Sequence, residues 1–352
     1  GRRGARGSAA RNPIKWQVET GTLAYWDSRP IVAADGTVFA VGAPKGENPG
    51  GRYPPGTDIR QMSLLVFDAD GHLKDKVGGT IAVWGQLPHM WIRQNDAMTA
   101  YAVDSSGGVY HFSGAGGGEF RALGTPVAGP PAVDSGGRLY VGGTGIKGLD
   151  IGGADLLGYH WEVGTSWIAP PALDDSGTLF AATTFGGRMY ALRTTGETLW
   201  VSRHDVATPV LDGKGRMYLG KDDRLSAIAT SNGEMLWQQT LTGPIVRDPL
   251  IAPDGSIVVV SNAGLVQSYD ESGHRRWSFA LPNRSSSNPH ADASGTLFIS
   301  DESGIVHAID RTGKERWTAT VPGAAGTPAT GPDGTVYVEC ANGTFYALRG
   351  PS

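Results

Sequence analysis

Cysteine is almost absent: Cys340 is the single one among 352 residues, which excludes an intrachain disulfide and any metal site built from several thiolates. Charge is scarce too. Asp, Glu, Lys and Arg make up 18% of the chain and nearly cancel, leaving a formal net charge of -4, so no basic footprint for nucleic acid is present. No apolar run approaches the roughly 18 residues that a membrane-spanning helix requires. The chain has no Gly-x-Ser-x-Gly elbow, no P-loop and no His-x-x-x-His pair, and so lacks the signatures of serine esterases, NTPases and zincins. Long helices are disfavoured as well, because 53 Gly and 22 Pro interrupt the backbone at about every fifth residue. What is present is 39% apolar residues and 10 Trp, enough to bury a core, and the chain reads as a globular β protein.

The chain repeats itself. The turn glycines Gly137, Gly177, Gly215, Gly255, Gly295 and Gly334 follow one another at steps of 38 to 40 residues, and Trp161, Trp200, Trp237, Trp277 and Trp317 keep the same pace at 37 to 40. Each unit holds four β-like runs, for example Asp248 to Ala252, Ser256 to Ser261, Leu265 to Asp270 and Arg275 to Ala280, separated by Asp254-Gly255, Asn262-Ala263-Gly264 and Ser272-Gly273. Those breaks carry turn chemistry. Four short antiparallel strands about every 40 residues describe a propeller blade. Asp35-Gly36-Thr37-Val38-Phe39 echoes Asp333-Gly334-Thr335-Val336-Tyr337. The distance between these two runs, less an insertion at 42–62, predicts an all-β, eight-bladed β-propeller of four-stranded antiparallel blades. The last unit stops at Leu348, before its Trp, while Trp16 stands alone near the front. The N-terminal strand is therefore expected to complete the last blade and close the ring, which removes the free sheet edges. Residues 1–12, with Arg2, Arg3, Arg6 and Arg11 among Gly, Ala and Ser, read as a flexible leader, and 13–350 as one propeller domain.

Ala308-Ile309-Asp310-Arg311-Thr312-Gly313-Lys314-Glu315-Arg316-Trp317 resembles the tryptophan-docking motif of quinoprotein-type (PQQ-like) β-propellers, with weaker copies ending at Trp200, Trp237 and Trp277. The resemblance runs from Trp16 to Leu348, erodes in the first three units, and extends to the BamB-type lipoproteins of outer-membrane assembly. It implies a fold rather than an activity. Family members that oxidise substrates with pyrroloquinoline quinone are much longer, and many carry a vicinal Cys pair; this chain departs from both features, and no cofactor is expected.

Other motifs have plainer readings. Gly143-Thr144-Gly145-Ile146-Lys147-Gly148 matches the dinucleotide fingerprint by letter, yet it falls on a hairpin with no following helix. Asp68-Ala69-Asp70-Gly71 and Asp174-Asp175 fall in turns where Asp and Gly serve local geometry, and no metal site is expected from them. Cys340 reads as a small buried apolar residue.

In a propeller the links that enter each first strand lie on one face, around the channel. There the units read Arg29-Pro30, Thr208-Pro209, Asp248-Pro249, Asn288-Pro289 and Thr327-Pro328, flanked by Trp26, Asp27, Trp84, His89, Trp91, Trp167, His204, Asp205, Arg247 and His290. The candidate ligand-binding set is Trp26, Arg29, His89, Trp167, His204, Asp205, Arg247, Asp248, Asn288 and His290. Arg forks and Trp faces at a channel mouth suit an anionic or sugar-like ligand; the alternative is that Arg29, Arg247 and Asp248 simply neutralise one another. The Pro- and Gly-rich insertion at 42–62 belongs to the same face and is expected to lid the channel or bind a partner.

Two functions follow. The first is a noncatalytic scaffold that binds a protein or peptide partner through this face. The second is a lyase or hydrolase acting on an acidic oligosaccharide, with His204 or His290 as general base and Arg247 or Arg29, beside Asp248, at the substrate carboxylate. The family resemblance and the start at Gly1 lead to the expectation of a monomer exported to the periplasm or cell envelope. The segment removed upstream would be a signal peptide, a lipid-anchored leader or a tag.

Overall fold

The computed structural model describes residues 13–19, 29–42, 60–81, 91–94, 100–103, 107–113, 117–123, 126–150, 160–161, 168–183, 186–204, 207–323 and 325–350. Among these residues every regular element is a β-strand, and the strands form eight four-stranded antiparallel sheets. Seven sheets are built from four consecutive strands, over 31–81, 91–122, 132–161, 172–203, 210–240, 250–280 and 290–320. The eighth joins Ala329–Thr330, Val336–Glu339 and Thr344–Leu348 to Ile14–Glu19 from the other end of the chain. Trp16 sits opposite Ala347, and the Arg349 N–H donates to the Pro13 carbonyl at 2.6 Å. That bond stands where a hairpin turn joins the last two strands in the other sheets.

Turn chemistry sets the strand ends. Between the first and second strands of the 172–203 sheet, Asp174 Oδ1 accepts the backbone N–H groups of Ser176 (3.0 Å) and Thr178 (2.8 Å), and Gly177 takes φ +80°. Asp292 repeats this with Ser294 and Thr296, both at 2.9 Å. A short acceptor followed by a residue free to adopt positive φ is what such a reversal needs. The first strand of most sheets is shorter than the repeat suggests: where Asp248 to Ala252 was expected, the strand is Leu250–Ile251. Pro249 has no N–H to give a ladder, so pairing begins after it.

Sheets meet through apolar clusters and, in five places, through a tryptophan of the outermost strand. The Trp200, Trp237 and Trp277 indole N–H groups donate to the carbonyls of Thr230, Glu271 and Arg311 in the next sheet, each at 2.9 Å, and Trp16 donates to Ala69 at 3.0 Å. A Cβ on Gly233, Gly273, Gly313 or Gly71 would lie 2.7, 2.9, 2.8 or 2.7 Å from the respective ring, so only glycine lets the indole lie flat on the turn. Trp317 packs near Gly350 and against Phe298. Trp161 keeps the sequence period but holds a different register in its ladder. It pairs with Ile146, the first residue of its neighbouring strand, whereas Trp200 pairs with Ala191, the fourth.

The insertion is narrower than 42–62. Gly42 ends the strand Val38–Gly42, and Arg60, Gln61 and Met62 open the strand Arg60–Phe67, which pairs with the nine-residue Leu73–Ile81. Residues 43–59, like the leader at 1–12, lie outside the described residues.

Candidate functional site

The first strands of neighbouring sheets contact one another, and in every sheet but that over 91–122 the first strand is entered directly through a proline. A residue before proline is held extended, so the pre-proline side chain of each unit is presented at a comparable place. Together they border a cavity of about 800 Å³ lined by Arg29, Pro130, Pro170, Thr208, Asp248, Asn288 and Thr327, with the prolines that follow all but the first and last of these and the first strands of the four sheets over 132–280. Neighbouring units are stitched together at this level. The Asn288 N–H donates to Thr327 Oγ1 at 3.1 Å, and Gly129 lies so close to Pro170 that a Cβ would fall 2.2 Å from its Cγ.

Of the residues singled out in the sequence, Arg29, Asp248 and Asn288 line this cavity. Trp26, His89, Trp167 and Asp205 lie outside the described residues. His204, Arg247 and His290 are not among the lining side chains. His204 sits at the far end of its sheet, its Nε2 2.7 Å from the Gly233 carbonyl and therefore the protonated nitrogen; Nδ1 is buried without a hydrogen-bond partner among the described residues. Gly233 is the turn under Trp200, so His204 belongs to the sheet-to-sheet contact. The Arg247 Nη2 donates to the Ser285 carbonyl at 3.3 Å, one sheet on. His290, beneath the cavity, places Nε2 2.9 Å from Thr330 Oγ1. Burial, reinforced by the charge of Arg29, pulls its pKa down to about 4, so the ring is neutral at pH 7.

Thr208, Thr327 and the prolines at 130 and 170 were not singled out as site residues. Their signal was in the sequence, because each stands immediately before a blade-opening proline. Arg29 and Asp248 are the only titratable side chains lining the cavity among the described residues. Such a lining can hydrogen-bond and pack.

Comparison with known proteins agrees with the geometry. The family model for outer membrane protein assembly factor BamB matches residues 186–285 and 262–350. The crystal structure of BamB from Moraxella catarrhalis superposes with a TM-score of 0.50 at 17% identity, covering 74% of this chain and 96% of that one. The WD40 propeller domain of Doa1 gives 0.55 at 14%, covering 75% and 94%. Virginiamycin B lyase from Staphylococcus aureus gives 0.59 at 13%, covering 74% and 94%. A comparison with curated proteins gives no match. With four-stranded antiparallel sheets and propellers as neighbours, this chain has a β-propeller fold, and its residues 186–350 are similar to the PQQ-like repeats of the BamB family model.

Proposed function

We propose that this chain is a noncatalytic binding propeller that engages a peptide or an extended segment of a protein partner at its proline-lined cavity. In this reading residues 13–350 form one ring of eight blades closed by the strand Ile14–Glu19. Support comes from the eight sheets, from the pairing of that strand with Thr344–Leu348, and from contact of the first strand of the 31–81 sheet with those of the 91–122 and 329–348 sheets. The observation that carries the functional reading is the division of labour among the polar groups. His204, His290 and Arg247 lie outside the cavity lining in contacts within the fold, while Asn288 and the internally partnered Arg29 and Asp248 border the cavity. That is a lining for recognition rather than for proton transfer. Similarity to an outer membrane assembly factor supports action at the cell envelope on a protein partner.

A thermal-shift screen tests this. A ligand at 100 times its dissociation constant stabilises the folded state by about 2.7 kcal/mol. Short unstructured peptides are expected to raise the melting temperature of the wild type but not that of an Asp248→Ala/Asn288→Ala variant. A shift with uronic-acid oligosaccharides and none with peptides would overturn the reading.

A further inference from the structure

The pre-proline positions divide the cavity into two unlike walls. In the 132–161 and 172–203 sheets the position is itself proline, giving Pro130-Pro131 and Pro170-Pro171 side by side; in the sheets that follow it is Thr208, Asp248, Asn288 and Thr327, and then Arg29. Two consecutive prolines offer ring carbons and no N–H donors. The wall they form is also preorganised, because Gly129 seats directly against the Pro170 ring and the φ angle of each proline is fixed. Beside and beyond it, the hydroxyl of Thr208 in the adjoining unit, the carboxylate of Asp248 and the amide of Asn288 present hydrogen-bonding groups. Charge does not dominate, since Arg29 and Asp248 are of opposite sign and each already has a partner within the protein.

Resting on the peptide-binding reading above, we propose that the cavity selects peptide segments bearing an aromatic side chain, the ring lying on the Pro130/Pro170 wall and the flanking amides meeting Thr208, Asp248 and Asn288. An aromatic ring has an electron-rich face and no hydrogen-bonding groups on that face. It can therefore cover a donorless wall of C–H groups without leaving a polar atom unpaired. A sugar ring carries hydroxyls around its edge, and those turned to the proline wall would lose water and gain nothing, at a cost in affinity. A strongly charged ligand gains little from a lining whose two charges cancel. The volume of about 800 Å³ lies within the range of sites that enclose small ligands, about 300–1,000 Å³; it accommodates one large side chain with its neighbouring peptide groups.

The test is calorimetric titration of the whole chain with acetylated, amidated pentapeptides Ser-Gly-X-Gly-Ser, where X is Trp, Leu or Ala. The wild type is expected to bind the Trp peptide about tenfold more tightly than the Leu peptide. The variant Pro130→Thr/Pro170→Thr copies the Thr-Pro sequence found at Thr208-Pro209 and Thr327-Pro328, which the fold already accepts; it is expected to lose that preference while still binding. Asn288→Ala should weaken all three peptides alike. Equal affinities of the wild type for the Trp and Leu peptides, a comparison that needs no variant, would overturn aromatic selection and leave peptide binding standing. A Trp preference surviving in the double variant would also overturn it. No binding of any peptide to the wild type would overturn both readings.

Discussion

The sheets over 186–350 and those over 31–161 reach the same four-stranded form with different means of joining one sheet to the next. In the later region the outer strand of one sheet lays a tryptophan on a glycine turn of the next, fixed by one indole hydrogen bond, as Trp237 does over Gly273 and Trp277 over Gly313. In the earlier region the 31–81 sheet receives such a tryptophan, Trp16 on Gly71, but Asp75 stands opposite Val66 where Trp317 stands opposite Ala308. The contact between the 91–122 and 132–161 sheets is an aliphatic cluster of Val103, Val109, Leu123, Val127, Leu139, Val141 and Leu149. Apolar area alone brings sheets together, because burial is non-directional. The indole adds direction, since its N–H has one acceptor and its ring one flat seat. That is why the later region is the part with a legible period and a family match.

The comparison can be broken from its strongest point downward. Trp277→Ala removes a large buried area and the bond to Arg311, and should cost about 3 to 5 kcal/mol in denaturant unfolding. A cost under about 0.5 kcal/mol, the level of an ordinary surface change, would mean that the wedge is not what joins the later sheets. Leu139→Ala, in the aliphatic contact, should cost about 2 to 5 kcal/mol, with the lower end expected if the earlier region repacks around the cavity. Hydrogen exchange would show whether the loss stays within the 91–161 sheets or spreads into the later ones.

The smallest effect lies where the two regions meet, at Arg29 and His290. Burial first, and Arg29 second, hold His290 at about 4 against the usual 6.5. The unfolded chain therefore takes up a proton before the folded one does. Stability is unaffected by this group above about pH 6.5 and falls as pH drops from about 6.5 to about 4, by up to roughly 3 kcal/mol. His290→Gln should flatten that segment of the stability profile. Arg29→Gln should move the His290 midpoint, followed by NMR, upward by part of the gap only, because burial remains. A midpoint unchanged by Arg29→Gln would separate the two regions electrostatically.

Much of this architecture was legible in the residues. Asp-Gly and Asp-x-Gly turns announce themselves, since an Asp carboxylate and a positive-φ glycine perform the reversal locally, and the strand Arg275–Ala280 matches its expected bounds. The misreadings have local causes as well. Trp161 has the right spacing in sequence, but spacing cannot report register, and a longer link before it shifts its partner to Ile146. His204 and Arg247 stand out by chemical type but do not line the cavity, whereas the position before proline points to Arg29, Asp248 and Asn288, because backbone geometry decides which side chains border it.

The sequence by itself determined that this chain is all β, that its strands come in fours, and where many of its turns fall, because those features arise from contacts between residues near in sequence. The lone Trp16 and the unfinished last unit already pointed to the N-terminal strand as the partner of the last one; only the tertiary structure decided the register of Ile14–Glu19 on Thr344–Leu348, that His204 and His290 are held within the fold, and that the cavity lining is part proline and part polar. Each of these depends on residues from separate units meeting in space, and no local pattern of side chains carries that distance.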